Sequence, residues 1–173
     1  MTRPWILGCA FAGVLLQLRS DAQVDTLRSP FPRTRSEIGL LLGYNKEIGA
    51  AHNAPIHFVE LGIAKASYGG RHPVSGSMYA STLFGLLGDT PILSPRIGVN
   101  IAMLLSFGTE VAYYTDLNEG SLAVVPSIGF GGYPLNIAIK PNLYVLHSSF
   151  KPAGGGTLSI TYRIVALKRK EID

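Results

Sequence analysis

Along residues 96–103 the chain reads Arg-Ile-Gly-Val-Asn-Ile-Ala-Met, so Ile97, Val99, Ile101 and Met103 share one face of an extended strand. Arg96, Gly98, Asn100 and Ala102 share the other. Strict period-two alternation predicts a β-strand whose two faces meet different surroundings. Eight stretches carry the pattern: 36–46, 56–68, 77–87, 92–104, 107–115, 122–130, 135–146 and 158–167. Turn-forming residues separate them, among them Asn53-Ala54-Pro55, Gly69-Gly70, Gly88-Asp89-Thr90-Pro91, Ser106, Asn118-Glu119-Gly120, 131–134 and 151–156. The expected fold is all-β: an antiparallel, up-and-down, eight-stranded transmembrane β-barrel over 36–167.

The character of the polar face argues for which side it occupies. It collects small residues (Gly39, Gly43, Gly62, Ala64, Gly85, Gly98, Ala102, Gly108, Ala112, Gly129 and Ala138) where a solvated strand would gain from Thr, Lys or Glu. Glycine in a strand costs stability and marks close approach of neighbours. Small side chains suit the interior of an eight-stranded barrel, which has room only for close-fitting groups. The same face carries Glu37, Glu60, Arg96, Glu110, Lys140 and Arg163, three acids and three bases. Such a balanced set is expected to pair in the lumen, because a buried charge without a partner costs several kcal/mol. The opposite face is nearly free of charge; Lys65 is the exception, near a strand end from where it can snorkel. An alternative is a soluble barrel with the faces inverted and the apolar set inside.

Composition bears on the choice. The chain is 47% hydrophobic and 15% charged, against about 25% charged in ordinary soluble domains. No segment after the amino terminus is long and apolar enough for a spanning helix, so membrane insertion requires a closed barrel. The net charge of +4 is mild, and Lys168-Arg169-Lys170 reads as part of a solvated charged tail, 168–173. Nothing points to nucleic acid.

Residues 1–22 have the layout of a cleaved secretory signal: Arg3, an apolar run over 6–18, then Ser20-Asp21-Ala22. Cys9, the only cysteine, lies inside that run as a small apolar filler, so the mature chain is expected to hold neither disulfide nor thiolate. Residues 23–35, with Pro30 and Pro32, read as an extended linker. With the amino terminus in the periplasm, the joins at Ser106 and 131–134 are short periplasmic turns, and 88–91 becomes an unusually short external loop.

An export signal followed by eight alternating strands resembles the small, eight-stranded outer-membrane β-barrel proteins of Gram-negative-type bacteria, over residues 36–167. The resemblance is architectural. It implies location in the outer membrane, outer-membrane lipids and the barrel-assembly machinery as partners, and leaves activity open. Members commonly end on an aromatic residue that the assembly machinery reads, whereas this chain continues past Leu167 into 168–173.

Candidate chemistry is sparse. The lumen of such a barrel is filled by its own side chains, so its charges are expected to be structural and not to line a pore. His52, His57, His72 and His147 show no metal-ligand spacing. Gly154-Gly155-Gly156 lacks the Lys-Ser/Thr of a phosphate loop and reads as a flexible turn. His147 and Ser149 would share the lipid-facing side of a continued strand, similar to the His-x-Ser pair of the outer-membrane lipid A deacylases. However, 158–167 holds no Asp or Glu to orient the histidine, and Phe150 stands where that family has asparagine. Tyr44, Tyr68, Tyr79, Tyr113, Tyr133, Tyr144 and Phe150 fall mostly toward strand ends, as interfacial belts or as core. The expectation is therefore a structural or adhesive protein that presents loops such as 49–55 and 148–156, with no catalytic, cofactor or metal site. Alternatives are a lipid A acyl hydrolase using His147 and Ser149, or a soluble periplasmic barrel binding a small apolar ligand.

Overall fold

The computed structural model describes residues 34–49, 55–69, 74–85, 90–146 and 150–172. These form β1 (Thr34–Glu47), β2 (His57–Tyr68), β3 (Ser75–Gly85), β4 (Leu93–Ala102), β5 (Leu105–Thr115), β6 (Gly120–Gly131), β7 (Leu135–Pro141), β8 (Leu143–Tyr144) and β9 (Gly156–Ile172). From β1 to β7 each strand pairs antiparallel with the next, β8 pairs with β6, β9 pairs with β7, and β9 returns to pair with β1, closing the sheet into a barrel. The segments β7 and β8 together make one wall of an eight-stranded barrel, since both pair with β6 in a single register. No helix occurs among the described residues.

One end of the barrel carries Thr34, Ile172 and the connections 69–74, 103–104 and 132–134; we call it the terminal end. The opposite, loop end carries the connections 48–56, 86–92, 116–119 and 145–155. At the loop end the β5–β6 turn is an Asx turn: the Asp116 carboxylate accepts from the Asn118 and Glu119 amides at 2.9 and 2.7 Å. Those two bonds also hold the Asp116 carboxyl below its ordinary titration range.

The turn expected at Ser106 falls instead at 103–104, and Ser106 is buried within β5 opposite Ala102. Two strands also differ from the periodicity. The stretch 135–146 is split, because the β6–β7 register, continued, sets Pro126 opposite Pro141. Neither proline has an N–H to give to the ladder. The other difference is at the carboxyl end. Lys168-Arg169-Lys170 is no solvated tail: β9 runs through it and pairs with the first residues of β1, Thr34↔Ile172 to Ile38↔Lys168. Two register shifts, between Ile38/Gly39 and Leu40/Leu41, insert bulges in the β9 side of this seam. One bulge would turn Arg169 outward; the second restores its parity with Arg163, so that it points in toward Glu37.

The apolar set lies outside and the polar set inside. Ile97, Ile101, Met103 and Phe130 are 63–64% exposed, whereas Glu60, Glu110 and Arg96 are 0–3% exposed. The inverted arrangement is not the one the chain adopts. Interior space is tight enough to require glycine. A Cβ at Gly98 would stand 2.6 Å from the Tyr79 hydroxyl and 2.8 Å from the Glu110 Cβ, and one at Gly43 would stand 2.9 Å from the Glu60 carboxylate. The inward face also has apolar members. Phe58, Leu83, Tyr114, Val125 and Ile92 form a buried cluster at the loop end, with Tyr144 and Phe150 packed against it.

Candidate functional site

The lumen holds the only concentration of chemistry among the described residues, and it is layered along the barrel axis. At mid-height Arg96 on β4 and Glu110 on β5 stand on adjacent strands, where the register sets Arg96 opposite Ala112. Their inward parity brings the Arg96 Nη1 against Glu110 Oε1, with both side chains fully buried. Lys140 reaches across from β7 to Glu110 Oε2 at 3.2 Å, and the Tyr79 hydroxyl donates to the same oxygen at 2.6 Å. One carboxylate thus serves two cations and a phenol.

Arg96 is tied toward the loop end as well. Its Nη2 donates to the Tyr114 hydroxyl at 3.2 Å, and Tyr114 passes the chain to Asn142 Oδ1 at 3.0 Å. The Asn142 amide donates to the Ala153 carbonyl at 2.6 Å, which anchors the last connection over the barrel. The break after Pro141 therefore has a use: Asn142, set there, links the lumen to the loop-end cap.

The six lumen charges do not form three pairs. Glu60, also fully buried, is held by the neutral donors Asn45 (2.9 Å) and Ser81 (2.6 Å). Glu37, near the terminal end, accepts from Tyr68 at 2.8 Å and from Arg169 at 3.1 Å, a residue that in sequence reads as part of the charged tail. Arg163 lies 4.8 Å over the Tyr133 ring, which stacks on Tyr68 at 4.3 Å. Buried polar atoms without hydrogen-bond partners remain on Arg163 (Nη1), Asn136 (Nδ2) and Asn100 (Oδ1). All three residues line one cavity of about 30 Å³, and a second of about 20 Å³ adjoins it toward the terminal end. Polar spaces of this size accommodate about one water each, which would satisfy those atoms.

Tyr79 and Tyr68 hydrogen-bond inside the lumen, and Tyr144 packs on the loop-end cluster, so the belt reading does not hold for them. Strand parity with Ser77, Ser81, Ala64 and Ala66 was the available signal. Tyr44 and Tyr113 do face outward, 42% and 44% exposed. His57 is outward-facing on β2, in hydrogen-bond contact with the Tyr44 hydroxyl. No group of three His, Cys, Asp or Glu residues among the described residues could hold a metal ion. His147 and Ser149, His52, His72, Cys9, the signal and the linker through Arg33 lie outside the described residues. No protein-family model matches this chain, and no curated protein matches it in sequence.

Proposed function

We propose that this chain is an outer-membrane β-barrel protein with a closed, non-conducting lumen. It would reinforce the membrane and present its loop-end connections, 48–56 and 145–155, to extracellular partners. The observation that carries the reading is the inside-out distribution of side chains on a closed barrel. A water-facing sheet hides its apolar residues, whereas here Ile97, Met103 and Phe130 stand 63–64% exposed while Glu60, Arg96 and Glu110 are buried. Closure of the ladder by β9 on β1 leaves only the two-residue β8, at the loop end, without a partner on one side, and a closed sheet is the condition for backbone to lie in hydrocarbon. Outward-facing charged groups sit toward the strand ends, with Lys46 near the loop end and Lys65, Lys168 and Lys170 near the terminal end.

The filled lumen supports a structural role without conduction. The mid-barrel cavity is about 30 Å³, the one adjoining it toward the terminal end about 20 Å³, and the apolar cluster lies across the loop end. The protein's partners are then outer-membrane lipids, the barrel-assembly machinery that inserts it, and whatever its loops meet outside. The test is cell fractionation combined with gel mobility of boiled and unboiled samples. Recovery in detergent-extracted outer membrane, with faster migration before boiling, is the expected result. Recovery in the soluble periplasm without detergent would overturn the reading.

A further inference from the structure

On the outer face, Ala80 lies between Ile63 and Ile97 in the paired registers of β2, β3 and β4. Its methyl group leaves a gap between two side chains that are 53% and 64% exposed. The result is an outward groove of about 580 Å³, walled by Ile38, Ile63, Met78, Ile97 and Val111 and reaching Lys65. Lys65 is not isolated at that edge. Ile38 pairs with Lys65 on one side and Lys168 on the other, and Ser36, the next outward residue of β1, pairs with Lys170. With strands about 4.8 Å apart, Lys65 and Lys168 stand about 10 Å apart across β1. All three lysines are exposed, and Glu171, the acid beside Lys170, is engaged by Arg35 at 3.4 Å.

We infer that this surface binds one anionic glycerophospholipid, with its headgroup phosphate among Lys65, Lys168 and Lys170 and an acyl chain in the groove over Ala80. The inference rests on the membrane reading and specifies a lipid for it. Charge selects the occupant: a second copy would set lysines against lysines, and a zwitterionic lipid would gain little from them. Placement at the terminal end puts the headgroup on the periplasmic side. The extension of β9 past Leu167 supplies two of the three lysines, so the site depends on the segment that departs from the expected strand boundary.

The test is native mass spectrometry of the full-length protein purified from membranes in neutral detergent. It would be offered phosphatidylglycerol and phosphatidylethanolamine with the same acyl chains. The expected result is one phosphatidylglycerol retained in clear preference. Lys65→Gln/Lys168→Gln/Lys170→Gln should lower that retention roughly 100-fold, the worth of three lysines at an anionic surface. Ala80→Leu should weaken both lipids while leaving the headgroup preference in place. Lys65→Gln alone, away from the β1–β9 seam, keeps the test decisive should the triple variant fail to fold, with a loss of roughly fivefold expected. Equal retention of the two lipids, insensitivity to the lysines, or a lipid-free dimer would each overturn the inference. Failure of the membrane reading would show earlier and separately, as recovery of the protein without detergent.

Discussion

In a Glu110→Gln variant the side chain keeps its length and can still accept from Tyr79, but the carboxylate shared by Arg96 and Lys140 is gone. The structure sets the scale of the loss. Arg96 and Glu110 side chains are 0% exposed and Lys140 is 6% exposed, so water cannot take over the solvation of either cation. Removing one member of a buried ion pair costs about 3–5 kcal/mol, mostly because the other member stays behind uncompensated. Two cations stay behind here, which puts Glu110→Gln toward the top of that range. Lys140→Met is a different perturbation, since Glu110 keeps Arg96 and Tyr79. Its cost is that of one hydrogen bond to a charged group, about 1.5–3 kcal/mol. Equilibrium guanidinium unfolding of the refolded barrel, followed by far-ultraviolet circular dichroism, measures both. Glu110→Gln should be the more destabilising by about 2 kcal/mol, taking these two ranges together. If the two variants fall within about 1 kcal/mol of each other and of wild type, the lumen screens its charges as water would and burial adds no penalty there.

Four further outcomes follow from named contacts. Ile97→Arg, in the middle of the outer face, should cost about 2–4 kcal/mol in lipid, and Ile101→Arg, nearer the terminal end, distinctly less. Folded fractions on unboiled gels will rank them, and equal effects would refute the lipid-facing assignment. Gly98→Val should cost about 1–3 kcal/mol by overpacking against Tyr79 and Glu110, whereas Gly76→Ala, with nothing within 4 Å of its Cβ, should be neutral or slightly stabilising in the same unfolding assay. A chain ended after Leu167 loses the ladder from Ile38↔Lys168 to Thr34↔Ile172 and the Glu37–Arg169 bond, and should assemble poorly; assembly at the wild-type level would mean the extension of β9 is dispensable. Asp116 has its folded-state carboxyl lowered from the ordinary 3.8 by amide bonds from Glu119 and Asn118, so the turn is fully supported above that value and loses support as pH falls below it. Amide chemical shifts of Asn118 and Glu119 between pH 5 and about 2.5 will follow the loss; unchanged shifts would contradict it.

Face assignment was legible in the sequence because it depends on parity alone. Arg96, Glu110 and Lys140 alternate with large aliphatic residues, and no register is needed to say that they share a side. Which charge meets which was not legible. That Glu110 takes both Arg96 and Lys140, leaving Glu60 to Asn45 and Ser81, follows from strand offsets and from the reach of Lys140 across the lumen. The apolar end cluster was readable in principle, since Phe58 shares parity with Glu60 and Leu83 with Ser81, but charge and smallness dominated the reading of that face. The end of β9 was hidden for a physical reason. Lys-Arg-Lys-Glu has the composition of a solvated tail, yet a strand needs only a backbone partner, and Thr34–Ile38 of β1 offered one. Between the two bulges, at Val165 and Ala166, parity with Arg163 fails, and it returns at Arg169.

The closing seam also bears on how the barrel forms and fails. Seven of its ladders join neighbours in sequence, but the bond from Arg169 to Glu37 links residues 132 positions apart. Loop-closure entropy makes such a contact the slowest to gain, so the hairpins zip first and the seam is sealed last. Until then β1 and β9 are bare edges, the state most open to mispairing with another chain. The two bulges act as a key at that moment. A slip of one residue would swing Arg169 out and leave Glu37 buried with Tyr68 alone, so the correct offset is favoured just where the chain has least local guidance.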